Sequence, residues 1–188
     1  MKQYLVVYYS KTGNSKFLAK KMAERLAADS IAVKPMVKQL FWLFLLSSLK
    51  IRIPTNISPK VLQKCESVVV FGPIWGGLLI SPLRSVMRDC VRADKPIHLA
   101  LSCETDDAHK DDKYGYAGVL EEAKQVGGKL VKTTAAFPTS LVMEKDASWS
   151  PKLSEKVKIT EQNYQGAIQE RIERFISDVR AGAAIPGQ

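Results

Sequence analysis

The sequence predicts an α/β fold in three layers, a parallel sheet between two layers of helices. Two observations carry this. Short runs rich in Val, Ile, Leu and aromatic residues alternate with segments of helical periodicity along the chain. Their order reads β-α-β-(α)-β-α-β-α-β-α, and such alternation gives a parallel sheet covered on both faces. By length, 188 residues make one ordinary domain. That is enough to bury about 70% of the unfolded chain's surface without staples. The domain is assigned to residues 1–180 and a flexible tail to residues 181–188.

Each element has its own signal. Tyr4-Leu5-Val6-Val7-Tyr8-Tyr9 is too short and too β-rich for anything but a strand. Residues 16–28 then place Leu18, Met22 and Leu26 on one helical face, with Phe17 and Ala23 beside them. Residues 31–37 read as a second strand, which Pro35 confines to an edge or weakly paired position. Leu40-Phe41-Trp42-Leu43-Phe44-Leu45-Leu46 is the most apolar run, bracketed by Lys38, Lys50 and Arg52. It is too short to span a membrane and is read as a helix packed on the sheet or on a pocket. A weak membrane or dimer contact through Leu40, Phe41, Trp42, Leu43 and Phe44 is the alternative.

Pro54 and Pro59 mark a loop. Ser67-Val68-Val69-Val70-Phe71-Gly72 is continuously apolar, as a buried central strand should be. Pro82 suits the first turn of a helix, whose buried face is assigned to Leu83, Val86, Met87, Cys90 and Val91. Residues 97–102 form the next strand and residues 103–114 a polar loop. Residues 118–126 form a short helix stopped by Gly127-Gly128. Residues 129–137 are the last strand. A loop containing Pro138 and Pro151 leads to a final helix with Tyr164, Ile168, Ile172, Phe175, Ile176 and Val179 on its apolar face.

Composition narrows the function classes. Cys65, Cys90 and Cys103 are odd in number and lack CxxC spacing, which argues against a disulfide framework or a zinc site. A cytoplasmic setting is the expectation. The first apolar run is short and leads into polar residues, so it is not read as a signal peptide. His98 and His109 are the only histidines, and no metal site is assigned. Asp106, Asp107, Asp111 and Asp112 lack EF-hand spacing and read as a solvated loop. Net charge is +9, but the basic residues are scattered without interleaved aromatics, so nucleic acid is not expected. The charge is read first as a solvated basic face, with acidic partners or anionic surfaces and substrates as further options. No Ser/His/Asp or Cys/His constellation stands out, and no catalytic residue is assigned.

The candidate site starts at Ser10-Lys11-Thr12-Gly13-Asn14-Ser15, between the first strand and the first helix. A helix N-terminus presents unpaired backbone N–H groups and a partial positive charge. Hydroxyls add donors, and Gly13 permits positive φ and close approach of the backbone. Such a loop suits a phosphate. Asn14 or Ser15 alone would be explained as a helix cap; a whole loop of such residues is not. The GxxxxGK[ST] and GxGxxG spacings are both absent.

The loop resembles the flavodoxin phosphate loop, [ST]-x-[ST]-G-[NST]-[ST], with every position filled and Lys11 at the variable one. Gly72-Pro73-Ile74-Trp75-Gly76-Gly77 similarly resembles the G-x-P-x-[WY]-x-[GS] loop of shorter-looped flavodoxins. The resemblance implies a flavodoxin-like sandwich with a five-stranded parallel sheet in order 2-1-3-4-5. It also implies bound FMN at the crevice between strands 1 and 3. The phosphate would lie on Ser10, Lys11, Thr12, Gly13, Asn14 and Ser15. The flavin ring would lie against Pro73, Ile74, Trp75, Gly76 and Gly77, and against the backbone of Ser102, Cys103, Glu104 and Thr105. Tyr114 or Tyr116 is the candidate for stacking on the outer ring face. Cys103 is read as a small buried residue before a redox-active one, and Trp75 as a core side chain is the plainer option. The function implied is electron transfer through FMN, with a redox partner protein or a small donor or acceptor. An NAD(P)H-dependent quinone or FMN reductase, an oxidoreductase of the same fold, is one alternative. A flavin-free binding module is the other. Many electron-carrying flavodoxins are strongly acidic, and the charge of +9 departs from that.

Overall fold

Alternation of side chains along the strands builds a core on each face of one sheet. The computed structural model describes residues 2–143 and 157–183. In chain order the strands are β1 (Lys2–Tyr8), β2 (Asp29–Ala32), β3 (Cys65–Trp75), the two-residue β4 (Leu78–Leu79), β5 (Ile97–Cys103) and β6 (Val131–Pro138). The main sheet runs β2-β1-β3-β5-β6 with every pair parallel. β4 is an antiparallel addition to the end of β3. With β4 set aside, the strand order is 2-1-3-4-5, as expected.

The helices are α1 (Asn14–Arg25), α2 (Leu40–Ser48), α3 (Pro59–Leu62), α4 (Ser81–Arg92), α5 (Ala117–Gly127) and, last, α6 (Ala167–Ala183). Leu5, Val7, Val68 and Val70 face one core with Leu83, Val86 and Met87 of α4 and Val119 and Ala123 of α5. Val6, Val69 and Phe71 face the other, with Leu18 and Met22 of α1 and Ile168, Ile172, Phe175 and Val179 of α6. Successive strand residues point to opposite faces, so the run 68–71 feeds both layers.

Four expectations are corrected. The second strand is Asp29–Ala32, earlier and shorter than residues 31–37. Val33 N–H still donates to the Tyr8 carbonyl, but Pro35 has no N–H to continue the ladder and instead bridges Thr55. The third strand runs through Gly72 to Trp75 and turns back as β4. Val91 is exposed, because the last turn of α4 rotates it off the buried stripe. Tyr164 precedes α6 rather than lying in it. Half-buried, it meets the Phe17 ring edge-on at 5.5 Å. Pro151 and residues 184–188 of the expected tail lie outside the described residues, while α6 itself extends to Ala183.

The apolar run is a helix, but a poorly covered one. Of α2 only Leu43 and Ser47 are buried. Ser47 Oγ donates to the Leu43 carbonyl at 2.6 Å and accepts the Ser81 N–H at 2.8 Å. The Ser81 hydroxyl in turn donates to the Ile51 carbonyl at 2.7 Å. The first N–H of α4 is therefore capped by a hydroxyl from α2. No helix among the described residues is long and apolar enough to cross a membrane.

Candidate functional site

The carboxyl ends of β1, β3 and β5 converge on adjoining concavities, as the topology of an open parallel sheet requires. The first is lined by Tyr8, Tyr9, Ser10, Lys11, Thr12, Gly13, Lys16, Ala32 and Val33. A narrow one continues past Lys11, Thr12 and Asn14 to Pro73, Ile74, Trp75, Ser102, Cys103, Glu104 and Thr139. Beyond it, a cavity of about 370 Å³ lies between Ile74 and Gly76 on one side and Cys103, Glu104, Thr105, His109, Asp112 and Tyr114 on the other. That volume falls in the range of small-molecule sites.

The polar groups around the first helix are committed in an instructive way. Gly13 has φ +104, and a Cβ there would meet nothing within 4 Å, so the left-handed backbone itself excludes other residues. The Gly13 N–H donates to Ser10 Oγ at 3.2 Å. Asn14 does not cap its own helix: its amide donates to the Val157 carbonyl at 2.9 Å and accepts the Ile159 N–H at 3.0 Å. Ser15 Oγ shares a buried hydrogen bond of 2.7 Å with Ser102 Oγ, tying the loop after β1 to the end of β5. The first helical N–H with an intrahelical partner is that of Phe17, which donates to the Gly13 carbonyl. Among the described residues no acceptor reaches the N–H groups of Asn14, Ser15 or Lys16. The N-terminus of α1 is thus open, with Thr12 exposed beside it. Lys11 and Lys16 line the same concavity, and Lys158 Nζ donates to the Thr12 carbonyl at 2.7 Å. An open helix N-terminus, a hydroxyl and lysines fit a phosphate monoester.

The aromatic wall comes from β3. Trp75 is half-buried and meets Tyr9 edge-on at 5.7 Å. Gly76 and Gly77, at φ +55 and +72, form the two-residue turn into β4, the pattern of a tight hairpin. A Cβ on Gly77 would lie 2.6 Å from the Lys113 carbonyl, so this turn packs against the loop of residues 103–116. Gly76 lines the cavity; Gly77 does not.

The third wall is braced from beneath. Arg171 of α6 donates through Nη1 and Nη2 to Asp107 at 3.0 and 2.5 Å, and Nη1 also reaches the Ala136 carbonyl at 3.2 Å. The guanidinium holds the Asp107 carboxyl below its ordinary value. Tyr116 donates its hydroxyl to the same carboxylate at 2.6 Å, which places it in the brace, while Tyr114 lines the cavity. Burial pushes the Cys103 thiol well up, so it stays protonated. His98 is buried within β5, hydrogen-bonded through Nδ1 to Thr133 Oγ1 at 2.8 Å; burial, with the nearby Lys132 charge, lowers it to about 4. It faces away from the site as a neutral structural residue.

The expected residues from all three loops therefore line these concavities, except Ser15, buried on Ser102, and Gly77, packed against the loop of residues 103–116. The sequence reading did not include Tyr9, Lys16, His109, Asp112, Thr139 or Lys158. Thr139 directly follows β6, so the rule that sites lie beyond strand carboxyl ends could have found it. Lys158 reaches the loop from 146 residues away and leaves no local signal.

No protein-family model matches the sequence, and no curated protein matches it. Solved structures do. The chain is similar to a flavoprotein from Lactobacillus acidophilus in complex with FMN, with TM-score 0.52 and 13% identity over 72% of this chain and 91% of that one. It is similar to a flavodoxin of Streptococcus pneumonia, with TM-score 0.51 and 13% identity over 95% and 98% of the two chains. A short-chain flavodoxin associated with a bacterial microcompartment matches with TM-score 0.50 and 13% identity, over 98% and 100%. At these identities the likeness establishes the flavodoxin fold.

Proposed function

We propose that this protein binds FMN and transfers electrons through it. The observation that carries this reading is the open N-terminus of α1. The loop holds three hydroxylic residues and an asparagine, yet none of them caps the helix. Asn14, Ser15 and Lys16 present their N–H groups beside the Thr12 hydroxyl, and Lys11, Lys16 and Lys158 supply compensating charge. Ser10, Gly13 and Ser15 keep the loop in shape. The cavity between Ile74–Gly76 and Cys103–Thr105 would take the ring, with Trp75 and Tyr114 as its aromatic neighbours. FMN, when bound, accepts and donates electrons singly or in pairs; the protein sets its orientation, exposure and surrounding charge. The FMN complex of the Lactobacillus acidophilus neighbour supports the same cofactor.

The test is the visible spectrum of the purified chain after incubation with FMN and gel filtration. A two-band flavin spectrum that stays with the protein is expected. A colourless protein that cannot be reconstituted would replace this reading with the flavin-free binding module.

A further inference from the structure

The helix α2 contradicts the ordinary rule for its composition. A helix that is apolar all round belongs inside a protein. Yet Leu40, Phe41, Trp42 and Phe44 are exposed, Phe41 at 71%. Among the described residues nine large hydrophobic side chains are exposed, and seven of them lie between Met36 and Ile51. Clustering on this scale marks an interaction surface rather than scatter.

The charge along this stretch of the chain has one sign. Between Asp29 and Glu66 the chain contains no carboxylate, although it carries Lys34, Lys38, Lys50, Arg52, Lys60 and Lys64. Lys50 pairs with Glu122 at 3.7 Å, and Arg52 with the buried Asp89. Lys34, Lys38, Lys60 and Lys64 have no ion pair among the described residues. Lys38 stands at a groove shared with Met36, Trp42 and Leu46.

We propose that α2 and its flanks dock on an anionic lipid bilayer, with α2 lying in the headgroup layer. At nine residues the helix is about 14 Å long, too short to cross but suited to lying flat. Trp42 and Phe41 are the side chains that favour the interface, and flanking lysines reach the headgroups while their stems follow the apolar face. A second copy is disfavoured by the same charge pattern, since a two-fold contact would bring like lysines together. Docking there would set the bilayer beside the cavity: the Phe44 ring lies 3.4 Å from the position of a Cβ on Gly76, which lines it. The docking itself does not depend on flavin binding.

The experiment is vesicle flotation of the full chain at low salt. It compares phosphatidylcholine vesicles with vesicles that also contain phosphatidylglycerol, with tryptophan emission as a second readout. Binding to the anionic vesicles only, with a blue-shifted emission, is expected. The double substitution Phe41→Ser with Trp42→Ser should weaken binding about tenfold or more with an unchanged melting transition. Lys34→Gln with Lys38→Gln, which leaves the apolar face intact, should weaken it by about tenfold as well. Failure to float with anionic vesicles would overturn the proposal. So would flotation that survives the serine pair, or a vesicle-indifferent dimer that the serine pair dissociates.

Discussion

The N-termini of α1 and α4 face the same physical problem and resolve it oppositely. Both helices begin beyond the carboxyl end of a sheet strand, and both leave early N–H groups without intrahelical acceptors. At α4 the Ser81 N–H is met by Ser47 Oγ, a buried hydroxyl delivered by α2. At α1 the nearby polar side chains turn elsewhere: Asn14 to the main chain of Val157 and Ile159, and Ser15 to Ser102. The capped terminus is part of the scaffold, and the open one is where the proposed phosphate would bind. Residue type does not separate them, since serines surround both. What separates them is where each hydroxyl is held.

Four substitutions sharpen or break this contrast. The largest effect is expected on the scaffold side. Leu43 is the buried apolar anchor of α2, at 1% exposure, and Leu43→Ala should cost about 2–5 kcal/mol in denaturant unfolding. Next, Gly13→Val forces a β-branched residue into φ +104 and should cost about 1–2 kcal/mol in stability. Its main effect should be on the ligand: FMN affinity by fluorescence titration should fall about a hundredfold, near 2.7 kcal/mol. Ser47→Ala removes the cap of α4 and leaves the Ser81 N–H buried without a partner. A loss of about 1–2 kcal/mol in stability is expected, with FMN affinity unchanged. If instead Ser47→Ala lowered FMN affinity as much as Gly13→Val does, the two termini would not be distinct in role. The smallest effect is expected at Phe41→Ser, within about 0.5 kcal/mol in thermal unfolding, because that ring is exposed.

The brace under the third wall adds a pH dependence. Asp107 has a lowered value in the fold because Arg171 hydrogen-bonds its carboxylate. Its contribution is therefore present above the ordinary carboxylate value of about 3.9 and is lost as pH falls through the lower folded value. An acid unfolding curve of Arg171→Ala should lack that component. A curve that overlays the parent would remove the brace from the account.

Much of this architecture was legible because strong local patterns agreed with the topology. The run of Val68, Val69, Val70 and Phe71 could only be a central strand, and its neighbours alternate in type. The position of the candidate phosphate loop, between the first strand and the first helix, was legible from its spacing. The hairpin at Gly76 and Gly77 also carries a readable signal, two glycines between apolar flanks. Other features leave no local trace. The second strand ends where Pro35 turns toward Thr55, a partner 20 residues on. The partners of Asn14 lie more than 140 residues away. The exposure of α2 runs against its composition, which by itself argues for burial.

In the proposed function the open terminus of α1 holds the phosphate of FMN. The most direct measurement is a pair of fluorescence titrations of the purified chain, one with FMN and one with riboflavin, which shares the ring but lacks the phosphate. Charge-assisted hydrogen bonds to the phosphate should make FMN bind about a hundredfold more tightly, or more. Equal affinity for the two, or binding of neither, would contradict the claim and leave the loop as a structural turn.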